Sequence, residues 1–74
     1  MFGISRETVE RLRKEYPVGC RVELVRMDDP QAPAIGTKGT VRGVDDIGSI
    51  MVAWDNGCGL SVAYGEDICR RIGK

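Results

Sequence analysis

The chain has 74 residues, of which 42% are hydrophobic and 30% charged, which describes one small folded domain and not a disordered chain. Eleven basic and eleven acidic side chains give a net charge of zero, against a general nucleic-acid coat or a membrane-surface protein, since both carry excess Lys and Arg. A chain of this size buries only about 60% of its unfolded surface, so its functional surface is expected to be a groove or an exposed strand face.

The first predicted element is a helix over residues 5–15. Ser5 is a good N-cap, and Ile4 with Val9 stands at the positions of a hydrophobic staple. Val9, Leu12 and Tyr16 form a narrow apolar stripe, and Glu7–Arg11 and Glu10–Lys14 have favourable i, i+4 spacing. Pro17 ends the segment, because the residue before a proline avoids helical geometry. So narrow a stripe cannot hold a free helix in water, so the helix must dock.

Beyond Pro17 the period changes to that of short strands. Cys20 to Met27 alternates, with Val22 and Leu24 on one face and Arg21 and Glu23 on the other. Asp28 to Lys38 contains Pro30, Pro33 and Gly36 and is expected to be irregular. Gly39 to Asp45 changes phase at Gly43, which predicts a bulge or sharp bend. Ser49 to Trp54 puts Ile50, Val52 and Trp54 on one face. Asp55-Asn56-Gly57 predicts a hairpin with a type I′ turn. Gly59 to Tyr64 carries Leu60 and Val62 inward, Gly65-Glu66-Asp67 predicts a 3₁₀ turn, and Ile68 to Ile72 is a last strand.

One helix followed by five short strands, at intervals of about ten residues, means an all-β barrel or sandwich. A long first loop, a tight hairpin and a turn before the last strand fit a small five-stranded SH3-like barrel over residues 18–72, preceded by one N-terminal α-helix, in a single domain 1–74. A five-stranded oligonucleotide-binding barrel is the competitor, but its strands are usually longer.

The runs Tyr16-Pro17-Val18-Gly19, Arg21-Val22-Glu23-Leu24, Gly36-Thr37-Lys38-Gly39-Thr40-Val41, Val52-Ala53-Trp54-Asp55-Asn56-Gly57 and Gly65-Glu66-Asp67 follow one another over residues 16–72. In that order and spacing the chain resembles the family called domain of unknown function 4314. The resemblance implies an SH3-like small barrel and a bacterial setting beside phage and mobile-element genes, and it implies no activity. The patterns G-x-x-G-T-V and V-x-W-D-N-G also look like other SH3-like barrels, including peptide-holding ones of ubiquitin ligases. That likeness is one of fold and carries no partner with it.

The chain has no histidine, which removes the commonest general base and the commonest neutral metal ligand. Lys14, Lys38 and Lys74 sit in polar or terminal stretches, unsuited to a desolvated catalytic lysine. The expectation is therefore a protein that is not an enzyme. Cys20, Cys58 and Cys69 lack the paired spacing of a zinc site; they read as small side chains in a reducing compartment, with Cys58 exposed and Cys20 near Cys69. Asp28-Asp29, Asp45-Asp46 and Asp55 do not space as a calcium loop. Gly36, Gly39 and Gly43 are not followed by a helix or a Gly-Lys-Ser/Thr element, so they read as turn and bulge glycines and not a phosphate loop. No cofactor or metal is expected. No apolar run approaches the roughly 20 residues of a membrane helix, and residues 1–14 lack the apolar centre of a signal peptide; the expected location is the cytoplasm, with no membrane partner.

Two candidate binding sites follow. Tyr16, Trp54 and Tyr64 form an aromatic set that could line a ligand groove walled by the Asp28–Lys38 loop, although Trp54 in phase with Val52 also reads as core. Arg21, Arg26, Arg70 and Arg71, with Lys38 and Arg42 nearby, could form a basic face for nucleic-acid phosphate or an acidic protein, or could simply be solvated strand faces. Charge is unevenly distributed: residues 28–67 hold two basic and seven acidic side chains, while 1–27 hold six and four and 68–74 hold three and none. The leading expectation is a protein-binding accessory module of a phage or mobile element, acting as a monomer or weak homo-oligomer, with no small-molecule substrate. A nucleic-acid-binding barrel and a self-associating structural subunit are the alternatives.

Overall fold

The computed structural model describes residues 4–73, so Lys74 lies outside the described residues. Helix α1 spans Arg6–Glu15. The Ser5 hydroxyl accepts the Thr8 N–H at 3.1 Å, filling one of the open donors of the first turn. Tyr16 closes the helix just before Pro17, its N–H donating to Leu12 O at 2.8 Å. Val9 and Leu12 are buried and hold α1 onto the strands. The spaced pairs Glu7–Arg11 and Glu10–Lys14 are not among the ion pairs of the described residues. Instead Arg13 fastens the helix, donating to Val44 O and Asp46 Oδ1, each at 3.0 Å.

The strands are β1 (Arg21–Arg26), β2 (Lys38–Val44), β3 (Ser49–Trp54), β4 (Val62–Ala63) and β5 (Ile68–Arg71). They form one antiparallel sheet in the order β4-β3-β2-β1-β5. Four strands meander and the fifth returns beside the first, which is the strand order of an SH3-like barrel. β4 and β5 approach one another at the seam with no ladder between them. The interior holds Val22, Leu24, Val41, Ile50, Val52, Trp54 and Val62 with Val9 and Leu12 of the helix, and no polar or charged side chain is buried among the described residues. Each such side chain stabilises the fold by about 1.5–3 kcal/mol relative to exposure.

The bulge foreseen at Gly43 is present, as a register shift between Val41 and Gly43. A second shift, between Leu24 and Arg26, turns Val25 outward. The hairpin after β3 differs from the expected type I′ form. Within this loop only Gly57 is left-handed, at φ 93°, and no described residue other than glycine has positive φ. Gly57 N–H donates to Trp54 O at 2.9 Å and Trp54 N–H to Cys58 O at 3.0 Å, giving a three-residue loop closed by a left-handed glycine. Asn56 escapes the left-handed penalty and uses its side-chain carbonyl to accept the Cys58 N–H at 3.0 Å.

β4 is shorter than the expected strand over Gly59–Tyr64, and Leu60 is half-buried outside the core. The Leu60 carbonyl is taken by the Trp54 indole N–H at 2.9 Å and not by a strand neighbour. The expected 3₁₀ segment is a single turn in which Ala63 O accepts from both Glu66 and Asp67 N–H, at 3.0 and 2.9 Å. Asp67 Oδ2 accepts the Ala63 N–H in return at 3.0 Å, clasping the turn. No helix is long and apolar enough to cross a membrane among the described residues.

Candidate functional site

The body of α1 packs against β2, and its end reaches the outer edge of β5 through side-chain hydrogen bonds. Pro17 stops the helix where Tyr16 can turn its ring toward the sheet, and its hydroxyl donates to Cys69 O at 3.4 Å. Arg71 Nη1 donates to Glu15 O at 3.1 Å, binding one of the open carbonyls of the helix end. Burial pushes the Tyr16 phenol up, and Cys69 and Glu15 add to the shift while Arg71 opposes it. Burial likewise pushes the Cys69 thiol to about 11, with Cys20 contributing a smaller part of the rise.

A groove of about 640 Å³ opens between this helix end, β5 and the turn after β4. Its apolar floor is Leu12, Ile50, Val62 and Cys69. Tyr16 and Tyr64 both line it, as does Ile68; Tyr64 and Ile68 are 50% and 48% exposed. Glu15, Asp28, Glu66 and Asp67 bring carboxylates to the same groove, against the single cation of Arg26. Hydrophobic burial would supply affinity here, and the charged rim would select the sign of the ligand.

The structure thus brings Tyr16, Tyr64 and Arg26 to one place. Trp54 is elsewhere: it is 3% exposed, its ring in the core and its N–H bonded to Leu60 O. Its edge borders a second, shallower groove with Arg42 and Met51 on the β2–β3 side. Of the Asp28–Lys38 loop, Asp28 reaches the main groove, and Pro33 is buried.

The four arginines have separate surroundings. Arg21 holds Asp55, with Nη2 to Oδ2 at 2.6 Å, and Arg70 holds Glu23, with Nη2 to Oε1 at 2.7 Å. Arg71 caps the helix end and Arg26 lines the groove. Alternation along β1 placed Arg21 opposite the core, but which carboxylate each arginine would meet depended on cross-strand register and loop position.

Sequence reasoning did not single out Leu12, Glu15, Glu66 or Ile68 as site residues. The acidic excess of residues 28–67 was the available signal for the rim. Among the described residues no group of three acids or cysteines is placed to hold a metal ion. Of the loop acids, Asp29 Oδ1 accepts the Gln31 N–H, Asp45 Oδ1 accepts the Ile47 and Ser49 N–H groups, and Asp46 and Asp55 pair with arginines. The cysteines are free, and Cys58 is half-buried where exposure was expected, its Sγ 3.9 Å from Gln31 O.

A family model described as a domain of unknown function, DUF4314, matches residues 5–72. No curated protein matches the sequence.

Proposed function

We propose that this chain, which belongs to the DUF4314 family, is a protein-interaction module that receives a segment of another protein in the groove between α1 and β5. The observation that carries this reading is the pairing of Tyr16 and Tyr64 around an apolar floor that opens to solvent. Exposed aromatic and aliphatic side chains gathered at a concave surface are the usual anchors of protein recognition. Tyr64 and Ile68 are about half exposed, so shielding them from water is gain left over for a partner.

In this reading the domain is non-catalytic, with no histidine to serve as a base and no cofactor to hold. It acts as an accessory module in the bacterial cytoplasm, encoded beside phage or mobile-element genes, and works as a monomer or weak oligomer. The nucleic-acid alternative has less support, because Arg21 and Arg70 already hold carboxylates and the groove itself is acidic. Self-association would use exposed apolar side chains outside the groove, such as Val18, Ile35 and Ile47, which no cavity gathers into one concave site.

Selection from a displayed random-peptide library tests the reading. Enrichment of a sequence class by the native domain, lost with Tyr64→Ala, supports it. An unenriched library, or enrichment that Tyr64→Ala leaves unchanged, refutes groove docking.

A further inference from the structure

We infer that the segment received by this groove is an extended peptide with basic side chains flanking an apolar anchor; this rests on the docking reading above and adds the chemistry of the occupant. The first ground is charge. Four acidic residues and Arg26 line the groove, and the Arg71 guanidinium stands beside it on Glu15 O, which leaves the acids in excess. Glu15, Asp28 and Glu66 accept no side-chain hydrogen bond or ion pair from any described residue, whereas Glu23, Asp46 and Asp55 each hold an arginine. The rim therefore keeps an excess of negative charge around an apolar floor, complementary to lysine or arginine beside an aliphatic or aromatic side chain. A phosphate backbone is repelled by the same rim.

The second ground is the free edge of β5. Ile72 N–H bonds to Arg21 O, and Glu23 stands opposite Arg70, so Arg70 and Ile72 direct their backbone groups toward β1. By alternation Cys69 directs its N–H and C=O the other way, toward α1 and the groove. The carbonyl takes the Tyr16 hydroxyl, and the N–H has no acceptor among the described residues. An unpaired main-chain donor at the edge of a strand, inside a groove, is matched by the carbonyl of an extended chain. A helix has no carbonyl to spare for it in its interior.

Three end-blocked nonapeptides test the inference, alternating leucine with lysine, with glutamate or with serine, against the full chain by fluorescence anisotropy and amide NMR. The lysine peptide is expected to bind at least tenfold more tightly than the other two, to shift the amides of Tyr16, Tyr64 and Cys69, and to slow exchange of the Cys69 amide proton. The double variant Asp28→Lys, Glu66→Lys changes two exposed side chains and is expected to weaken that binding at least tenfold while keeping the native amide spectrum. Equal binding of the glutamate peptide in the groove overturns the charge assignment and leaves groove docking standing. Binding that leaves Cys69 exchange unchanged overturns the extended pairing. If none of the peptides shifts a groove amide, both the inference and the docking reading fall.

Discussion

Arg21 and Asp55 meet as a forked pair over the sheet, Nη1 to Oδ1 at 2.9 Å and Nη2 to Oδ2 at 2.6 Å. Arg21 Nη1 also donates to Thr40 Oγ1 at 3.0 Å, so one guanidinium ties β1 to β2 and to the hairpin loop after β3. The pair thus spans 34 positions of the chain with a single guanidinium. Its acid-linked contribution can be followed directly. The hydrogen bond from Arg21 holds the Asp55 carboxyl below its ordinary value of 3.8. A carboxylate with a lower pKa folded than unfolded adds stability above the unfolded value and loses it as pH falls through the folded one. Asp55→Asn is therefore expected to lower the urea midpoint slightly at neutral pH, with the deficit closing as pH falls below 3.8. A deficit that persists unchanged in strong acid would show that the pair contributes nothing through its charge.

Leu12 is 4% exposed and is the larger of the two helix side chains in the core. Leu12→Ala is expected to cost about 2–5 kcal/mol by urea unfolding, a large part of the stability of so small a domain. Because the helix cannot stand alone, the far-ultraviolet signal of α1 and the fluorescence of Trp54 should be lost in one transition. Separate transitions would mean that α1 is an appendage and not part of the barrel.

Gly39 is a packing requirement and not a turn. A Cβ at this position would lie 2.6 Å from Val52 Cγ1, 2.8 Å from Trp54 Cε3 and 2.9 Å from Ala53 O. The last of these is backbone of the paired strand and cannot swing aside. Gly39→Ala is expected to destabilise the domain by about 1–3 kcal/mol through overpacking, with a change in near-ultraviolet dichroism as the indole is displaced. Unaltered stability would show that β2 and β3 can separate freely at this point.

Cys69 should be the inert thiol. It is buried, its pKa is raised to about 11, and only the thiolate is a nucleophile. At pH 8 a thiol reagent is expected to leave Cys69 unmodified in the native protein and to reach it on unfolding, with mass mapping as the readout. The linkage has the opposite sign to that of Asp55. A thiol harder to ionise when folded adds nothing lost in acid, and stability declines as pH rises from 9.0, the ordinary value, toward about 11. Rapid native labelling of Cys69 would mean that the end of α1 lifts from β5 readily.

Much of the architecture was legible because it depends on local rules. Ser5 and Pro17 bound the helix, and two-residue alternation marked Val22, Leu24, Ile50 and Val52 as interior. The misreadings have physical causes. Asn56-Gly57 is compatible with two turn forms, and the side chain of Asn56 tipped the choice by accepting the Cys58 N–H. Leu60 has the phase of a strand residue, but the Trp54 indole claims its carbonyl, and a contact between side chain and backbone six residues apart leaves no mark in a period-two pattern.

The sequence alone therefore determined the helix, the five-strand rhythm, the bulge at Gly43 and the absence of any histidine-based chemistry, because capping, φ restriction and alternation act between neighbours in the chain. It did not determine the groove. Tyr16, Glu15 and Leu12 come from the helix, Tyr64 and Glu66 from the turn, Arg26 and Asp28 from the end of β1, and Ile68 and Cys69 from β5. Only the return of β5 beside β1, with the end of α1 tied to it by Tyr16 and Arg71, brings them together. That closure is set by the burial of the whole apolar set at once, a cooperative property that no segment carries by itself.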